Sequence, residues 1–588
     1  GYGVELYHQR IGETLAALLA DDERRQIHRR LAQAIEARGL DDPEALYEDY
    51  LAAGERDRAA VHAESAARKA TSALAFDRAA LFYRHAIELM PGAPNEVDLK
   101  IRLGDALANA GRPAEAAREF LEAAKATTLR RSLELQQRAG AQLLTGGHIE
   151  EGLEVFRVVL ESAGFKLAKG PKRALWSLIL RRLWIRIRGL EFTECEASSI
   201  PEADLFRIDI CWAIATGLGA VDLVRSADFQ SRHLLLALRA GEPFRVSRAI
   251  AFEAAQSASP GGPAQKRVAP MLHRAEALAD KVGHPYAIAM SLWARGISSF
   301  LVGNWREAAD SFERAVEVFR DRCTGVSWEL GIAQRFMLSA LLYIGELAEV
   351  SRRIPALLDA ALEQGNIFAA TDLRTRLNLI WLAADDPDRA RMEVIEALKI
   401  WPRDGFHLQH YSSMLAMAQI ELYTDDAEVA WKHGMAQRKA LKGSLLLRTQ
   451  LLRVDSQYLR ARTALASAVH ARVANQRDLL LRTAERMAQD IAKEKMLWSD
   501  PLVPLIRAAI AHNRGDESLT AEFLREAVQG FDLADMGLRA MTARRRLGQT
   551  LGGDRGRELV AEADDWMRNQ EIKNPVLMTR MVAPGWRE

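Results

Sequence analysis

The stretch VDLKIRLGDALANAGRPAEAAREFLEAAKA, residues 97–126, holds the repeating unit of this chain in miniature. Leu103 and Leu107 fall on one face of a helix, and Gly104 beside them lets that helix approach a neighbour closely. Gly111 turns the chain. Ala116, Phe120 and Ala123 then form the apolar face of a second helix that folds back on the first.

The same offsets return downstream. Gly140, Leu143, Gly147, Gly152 and Phe156 reproduce them, and so do Gly296, Gly303, Ala308, Phe312 and Ala315 just after Trp293. Looser copies appear at Ala79, Tyr83, Ala86 and Pro91, and again at Trp381, Ala390, Val394, Ala397 and Pro402. Further turns fall at Gly54, Gly345, Asp425 and Gly515. These offsets match the tetratricopeptide pattern, a helix–turn–helix unit of about 34 residues. The expected fold is therefore all-α, a solenoid of tetratricopeptide-like helical hairpins, roughly a dozen in number. No sustained alternation predicts a strand. One long coiled coil is excluded, because Gly, Pro and Asp-Asp breaks interrupt the pattern too often.

Composition agrees with a packed helical array. The 588 residues are 49% hydrophobic and 27% charged, too apolar for disorder. Lys and Arg total 80 against 79 acidic residues, so no global positive excess points to nucleic acid as a partner. Cys195, Cys211 and Cys323 lie far apart without CxxC spacing, which excludes a disulfide scaffold or zinc ribbon and suits a reducing cytoplasm. No uninterrupted apolar run suggests a membrane span. The chain opens on Gly1 directly in helical pattern, which reads as a piece of a longer polypeptide.

Five segments follow from the pattern. Residues 1–40 read as the closing helices of an upstream module, 41–161 as a first repeat array, and 162–260 as helices that lose the register. Residues 261–575 read as a second array and 576–588 as a C-terminal tail. Ser259-Pro260-Gly261-Gly262-Pro263 is the clearest flexible link, and Pro91-Gly92-Ala93-Pro94 a tight turn between repeats.

Leu6-Tyr7-His8-Gln9-Arg10-Ile11, Arg24-Arg25 and Ile27-His28-Arg29-Arg30-Leu31-Ala32 resemble the helices that close the nucleotide-binding module of bacterial signal-transduction ATPases. Asp42-Pro43-Glu44-Ala45-Leu46, Ala52-Ala53-Gly54-Glu55-Arg56 and Ala73-Leu74-Ala75-Phe76-Asp77-Arg78-Ala79 look like the first superhelical repeats of the same proteins. Arg207-Ile208-Asp209 through Leu238-Arg239-Ala240-Gly241-Glu242-Pro243 resembles the C-terminal portion of large bacterial serine/threonine protein kinases. In these, a kinase domain and an AAA-type ATPase precede helical repeats. The resemblance implies a parent with both activities, whose ATP and Mg belong to modules upstream of Gly1. It implies no catalytic residue, cofactor or metal in this chain. His28-Arg29-Arg30 lacks the catalytic aspartate of a kinase loop, Asp228-Phe229-Gln230 lacks the glycine of the magnesium-binding motif, and no GxxxxGK[ST] occurs.

Other candidates are weaker. Gly217-Leu218-Gly219 begins like a dinucleotide fingerprint without its third glycine and reads as a close helix crossing. His407 and His410 share a helix face but find no third metal ligand of useful spacing. The repeat register places Asp98, Asp105, Asn109, Gln137, Arg335, Tyr343, Asp372, Gln419 and Tyr423 on the concave wall of the solenoid, a groove for a protein or peptide.

Lys166, Lys169, Lys172, Arg173, Arg181, Arg182, Arg186 and Arg188 form a basic segment interleaved with Trp176, Leu178, Leu180, Trp184 and Ile187. Two readings compete there. The segment either lies on an anionic membrane or acidic partner, or buries its apolar stripe and leaves its arginines in solvent. Burial of Trp176 and Trp184 is the expected outcome. The function expected is a non-catalytic sensor and scaffold that regulates kinase and ATPase modules in cis. The alternative is a free-standing peptide-binding adaptor without an enzymatic parent.

Overall fold

The computed structural model describes residues 19–165, 171–219, 222–403 and 405–587, with the side chains of Pro171 and Lys172 left out. Among the described residues every regular element is a helix. The quoted stretch folds as the Glu96–Asn109 and Pro113–Lys125 helices, joined at Gly111, whose φ of 77° favours glycine. Pro113 occupies the first turn of the second helix, where no hydrogen-bonding N–H is needed. Leu103, Leu107, Ala116, Phe120 and Ala123 are all buried.

The small–large complementarity is direct. A Cβ on Gly104 would lie 2.5 Å from the ring of Phe120, closer than any real contact. The equivalent pair recurs in the Pro285–Val302 and Trp305–Arg322 helices, where a Cβ on Gly296 would lie 2.8 Å from Phe312. Each glycine admits a phenylalanine ring that its hairpin buries completely, worth about 2–3 kcal/mol of apolar transfer per ring. The looser copies pack alike: Ala79, Tyr83 and Ala86, and Ala390, Val394 and Ala397, are buried. The fold is an all-α array of helical hairpins.

Contact density divides the chain into two compact units, one up to Leu143 and one from Leu144 onward. In the second unit the register loosens over the Pro171–Arg188, Glu202–Gly217, Leu223–Ala240 and Pro243–Ser257 helices. Gly217 packs its backbone against Leu144, with a Cβ there only 2.7 Å from the leucine side chain, so the two glycines at 217 and 219 serve a helix crossing.

The segment 259–263 is not a flexible link. Gln450 donates its backbone N–H to the Ser259 carbonyl at 2.9 Å, and its side-chain oxygen accepts from the Gly262 N–H at 3.3 Å. A Cβ on Gly261 would collide with Gln450, and one on Gly262 would lie 2.7 Å from the Met496 sulfur. Pro91–Pro94 is the expected tight turn, closed by Ala93 N–H on the Met90 carbonyl and by Glu96 on the Gly92 N–H.

Candidate binding groove

The nine groove residues read from the repeat register divide between the two units. In the first, Asp98 pairs with Arg131 at 2.6 Å and Asp105 with Arg138. Asn109 donates to the Asp105 carbonyl one turn back, and Gln137 is half-buried. Both acidic groups on this wall are thus engaged by arginines of the following Leu129–Gly146 helix.

In the second unit three of the five are interior struts and not an open wall. Arg335 and Asp372 are buried and pair with each other at 3.2 Å, with Arg335 stacked over Phe368. Tyr423 is buried and donates to Asp385 at 2.6 Å. Two charges that would be costly alone are tolerated because they neutralise one another, which fixes the spacing of adjacent repeats. Repeat register identifies the inward face of a helix but does not say how tightly the next repeat closes on it.

Tyr343 and Gln419 come together, on the wall of a cavity of about 160 Å3. The cavity lies between the Ser327–Ile344, Leu408–Tyr423, Gln450–His470 and Gly537–Leu551 helices. Tyr343 stacks on Trp305 with centroids 4.1 Å apart and donates its hydroxyl to Asp455 at 2.5 Å. Burial pushes the Asp455 carboxyl above its ordinary range against the opposing pull of Arg539, and burial likewise raises the Tyr343 phenol.

Three guanidiniums face this one carboxylate: Arg376, Arg462 and Arg539. Arg376 donates to Ser339 at 2.9 Å. Arg462 is buried, and its Nε finds no hydrogen-bond partner among the described residues. Arg539 lies near the rings of Tyr343 and Tyr458 and has no hydrogen bond among the described residues. The cavity therefore carries a positive excess in a low-dielectric setting, where an anionic group is strongly favoured.

One side of the cavity is formed by the chain itself. The Pro575–Val582 helix and residues 583–586 lie across the helices, with Met581 and Val582 on the cavity wall. Four main-chain carbonyls of this segment accept from side chains of the neighbouring helices, Tyr458 and Arg462 among them lining the cavity. Arg462 reaches Met581 at 3.1 Å, Tyr458 reaches Val582 at 2.8 Å, Arg546 reaches Ala583 at 3.1 Å and Asn513 reaches Gly585 at 2.7 Å. Trp586 stacks on His512 and under Arg546.

Sequence reading did not find Arg376, Asp455, Tyr458, Arg462 or Arg539. A signal existed on the Gln450–His470 helix, where Asp455, Tyr458 and Arg462 follow helical spacing on one face otherwise lined with Leu and Ala.

The basic segment is inverted relative to the expected outcome. Lys166 and Lys169 lie outside the described residues, as does the side chain of Lys172. On the Pro171–Arg188 helix, Arg181 turns inward to Asp228 at 2.7 Å and Arg182 to Glu253 at 3.0 Å, both acids being almost wholly buried. Arg188 donates to the Leu238 carbonyl at 3.3 Å. Arg173 and Arg186 remain exposed. Trp176 and Trp184, expected in the core, are 68% and 57% exposed. Two buried acids on neighbouring helices draw these arginines to the inward face.

His407 and His410 cap their helix. His407 accepts from the Trp401 indole N–H at 3.2 Å, and His410 accepts from the His407 backbone N–H at 3.1 Å. Among the described residues no cluster of His, Cys, Asp and Glu has metal-binding geometry, and no helix is long and apolar enough to cross a membrane. The three cysteines are unpaired thiols.

No family model and no curated protein matches the chain. Among solved structures it is similar to yeast Tom70, at 13% identity over 89% of this chain and 98% of that one, with a TM-score of 0.26. It is also similar to a Naa15/Naa10 complex bound to HypK-THB, at 14% identity, 94% and 95% coverage and a TM-score of 0.19. A third is a circular tandem repeat protein of novel repeat topology, at 13% identity, 95% and 98% coverage and a TM-score of 0.14. Similarity this weak adds nothing to the architecture visible in the helices.

Proposed function

We propose that this chain is a non-catalytic partner-binding scaffold whose second unit takes up a peptide segment carrying an acidic side chain. The observation that carries this reading is the recognition of residues 581–585 by Arg462, Tyr458, Arg546 and Asn513 through main-chain carbonyls. Hydrogen bonds to carbonyls grip a backbone whatever its side chains, which is the basis of peptide capture. Beside that segment the cavity offers Arg376 and Arg539 to an incoming carboxylate.

The resemblance of the sequence to the repeat region of kinase–ATPase signalling proteins supports a wider setting. In that setting, partner binding here biases kinase and ATPase modules of the same polypeptide between two states in the cytoplasm.

Peptides selected on the intact chain from a random display library should carry Asp or Glu at a fixed position. Replacing Arg539 by Ala should weaken the best of them at least tenfold, the ~1.5–3 kcal/mol typical of a charged hydrogen bond, measured at a temperature where circular dichroism shows the variant still folded. Selected peptides without an acidic position, or indifferent to Arg539→Ala, would sink the reading.

A further inference from the structure

The Pro171–Arg188 helix spends its arginines inward and presents its bulkiest apolar residues outward. Ile179, Leu180, Leu183 and Ile187 are exposed together with Trp176 and Trp184, Ile187 by 70%. At 100° per residue the six form a stripe about 140° wide, running some 16 Å along the helix. Ala174, Leu178 and Ile185 hold the opposite face against the protein. An exposed apolar stripe this continuous is costly in water unless something covers it.

Charge identifies the cover. Arg173 stands one turn beyond the N-terminal end of the stripe and Arg186 along one of its edges, both exposed and neither paired with an acid among the described residues. Arg267 lies close enough to Arg186 for the two like charges to repel, and the helix carries no Asp or Glu. The occupant must therefore be apolar in the middle and anionic at the margins. A second copy of the chain fails this test. Two such ridges paired about a two-fold axis would set Arg173 of one against Arg186 of the other, and like charges at close range are destabilising. A single convex ridge also needs a matching groove in any folded partner, whereas a bilayer interface yields to it. Tryptophans with flanking cations are the chemistry of that interface.

We infer that the outer face of the Pro171–Arg188 helix docks the protein on an anionic lipid surface, with Trp176 and Trp184 at headgroup level and Arg173, Arg186 and Arg267 against lipid phosphates and carboxylates. The attachment is peripheral and lies outside the groove and its peptide partner.

The test is co-sedimentation of the intact chain with phosphatidylcholine vesicles containing about one third phosphatidylserine, against pure phosphatidylcholine vesicles. The wild-type chain should pellet with the anionic vesicles at low salt and release as salt shortens the Debye length from roughly 30 Å to 8 Å. Arg173→Gln and Arg186→Gln should each weaken binding roughly fivefold, about 1 kcal/mol per cation removed. Trp176→Ser with Trp184→Ser should weaken it tenfold or more, with melting unchanged because neither indole is packed in the interior.

Wild-type chain that stays in the supernatant at low salt overturns the inference without reference to any variant. So does equal binding to neutral vesicles, or a dimer or bound protein that the two tryptophan changes release while lipid is ignored.

Discussion

Arg182 and Trp184 sit two residues apart and face opposite ways: the guanidinium lies against Glu253 in the interior, the indole in solvent. Their replacement costs follow from where they are and not from how hydrophobic they are. Arg182→Leu leaves Glu253 buried with only Ser257 as a donor, and stranding a buried charge costs about 3–5 kcal/mol. Trp184→Ala removes no packed neighbour and should stay within about 0.5 kcal/mol. Chemical denaturation of both variants checks the pair. A costly Trp184→Ala beside a harmless Arg182→Leu would mean that the helix is rotated by half a turn. Helical periodicity in the sequence shows that the tryptophans share a face. It cannot show that the other face meets Asp228 and Glu253, which lie on helices about 50 and 70 residues further on.

At the scale of the element, the hairpin is the part of this fold most legible in sequence, because its determinants are local. Gly296 and Phe312 meet within one hairpin, so their spacing alone announces the contact. Gly296→Ala should cost about 1–3 kcal/mol by overpacking against the ring. Phe312→Leu should also destabilise, but the double variant should lose clearly less than the sum, because the smaller side chain vacates the space the new methyl needs. Strict additivity in thermal melts would show that the glycine answers to something other than the ring. The groove is the opposite case. Tyr343, Arg376, Asp455 and Arg539 come from four helices spread over nearly two hundred residues, and repeat register says nothing about which of their inward positions converge. That is why register found Tyr343 and Gln419 on the cavity but also nominated Arg335, Asp372 and Tyr423, which brace one repeat against the next.

At the scale of the second unit, the 575–586 segment breaks the rule that a repeat touches only its neighbours. Just before it Lys573 donates to the Ala383 carbonyl, Arg580 of the segment reaches the Tyr423 carbonyl, and carbonyls of the segment are held from the helices bearing Tyr458, Asn513 and Arg546. Removing residues 575–588 should therefore speed amide hydrogen exchange together in the Leu408–Tyr423, Gln450–His470 and Gly537–Leu551 helices. The Leu223–Ala240 helix, which the segment does not touch, should keep its protection. Exchange that quickens only in the helix next to the cut would deny the segment its bracing role. The same arrangement has a consequence in time. Translation runs from N- to C-terminus, so the Ser327–Ile344, Leu408–Tyr423, Gln450–His470 and Gly537–Leu551 helices leave the exit tunnel before the segment that closes the cavity. Until Met581 and Val582 are translated, the nascent groove stands open with its arginines and leucines uncovered, so these two residues finish a site begun more than two hundred residues earlier.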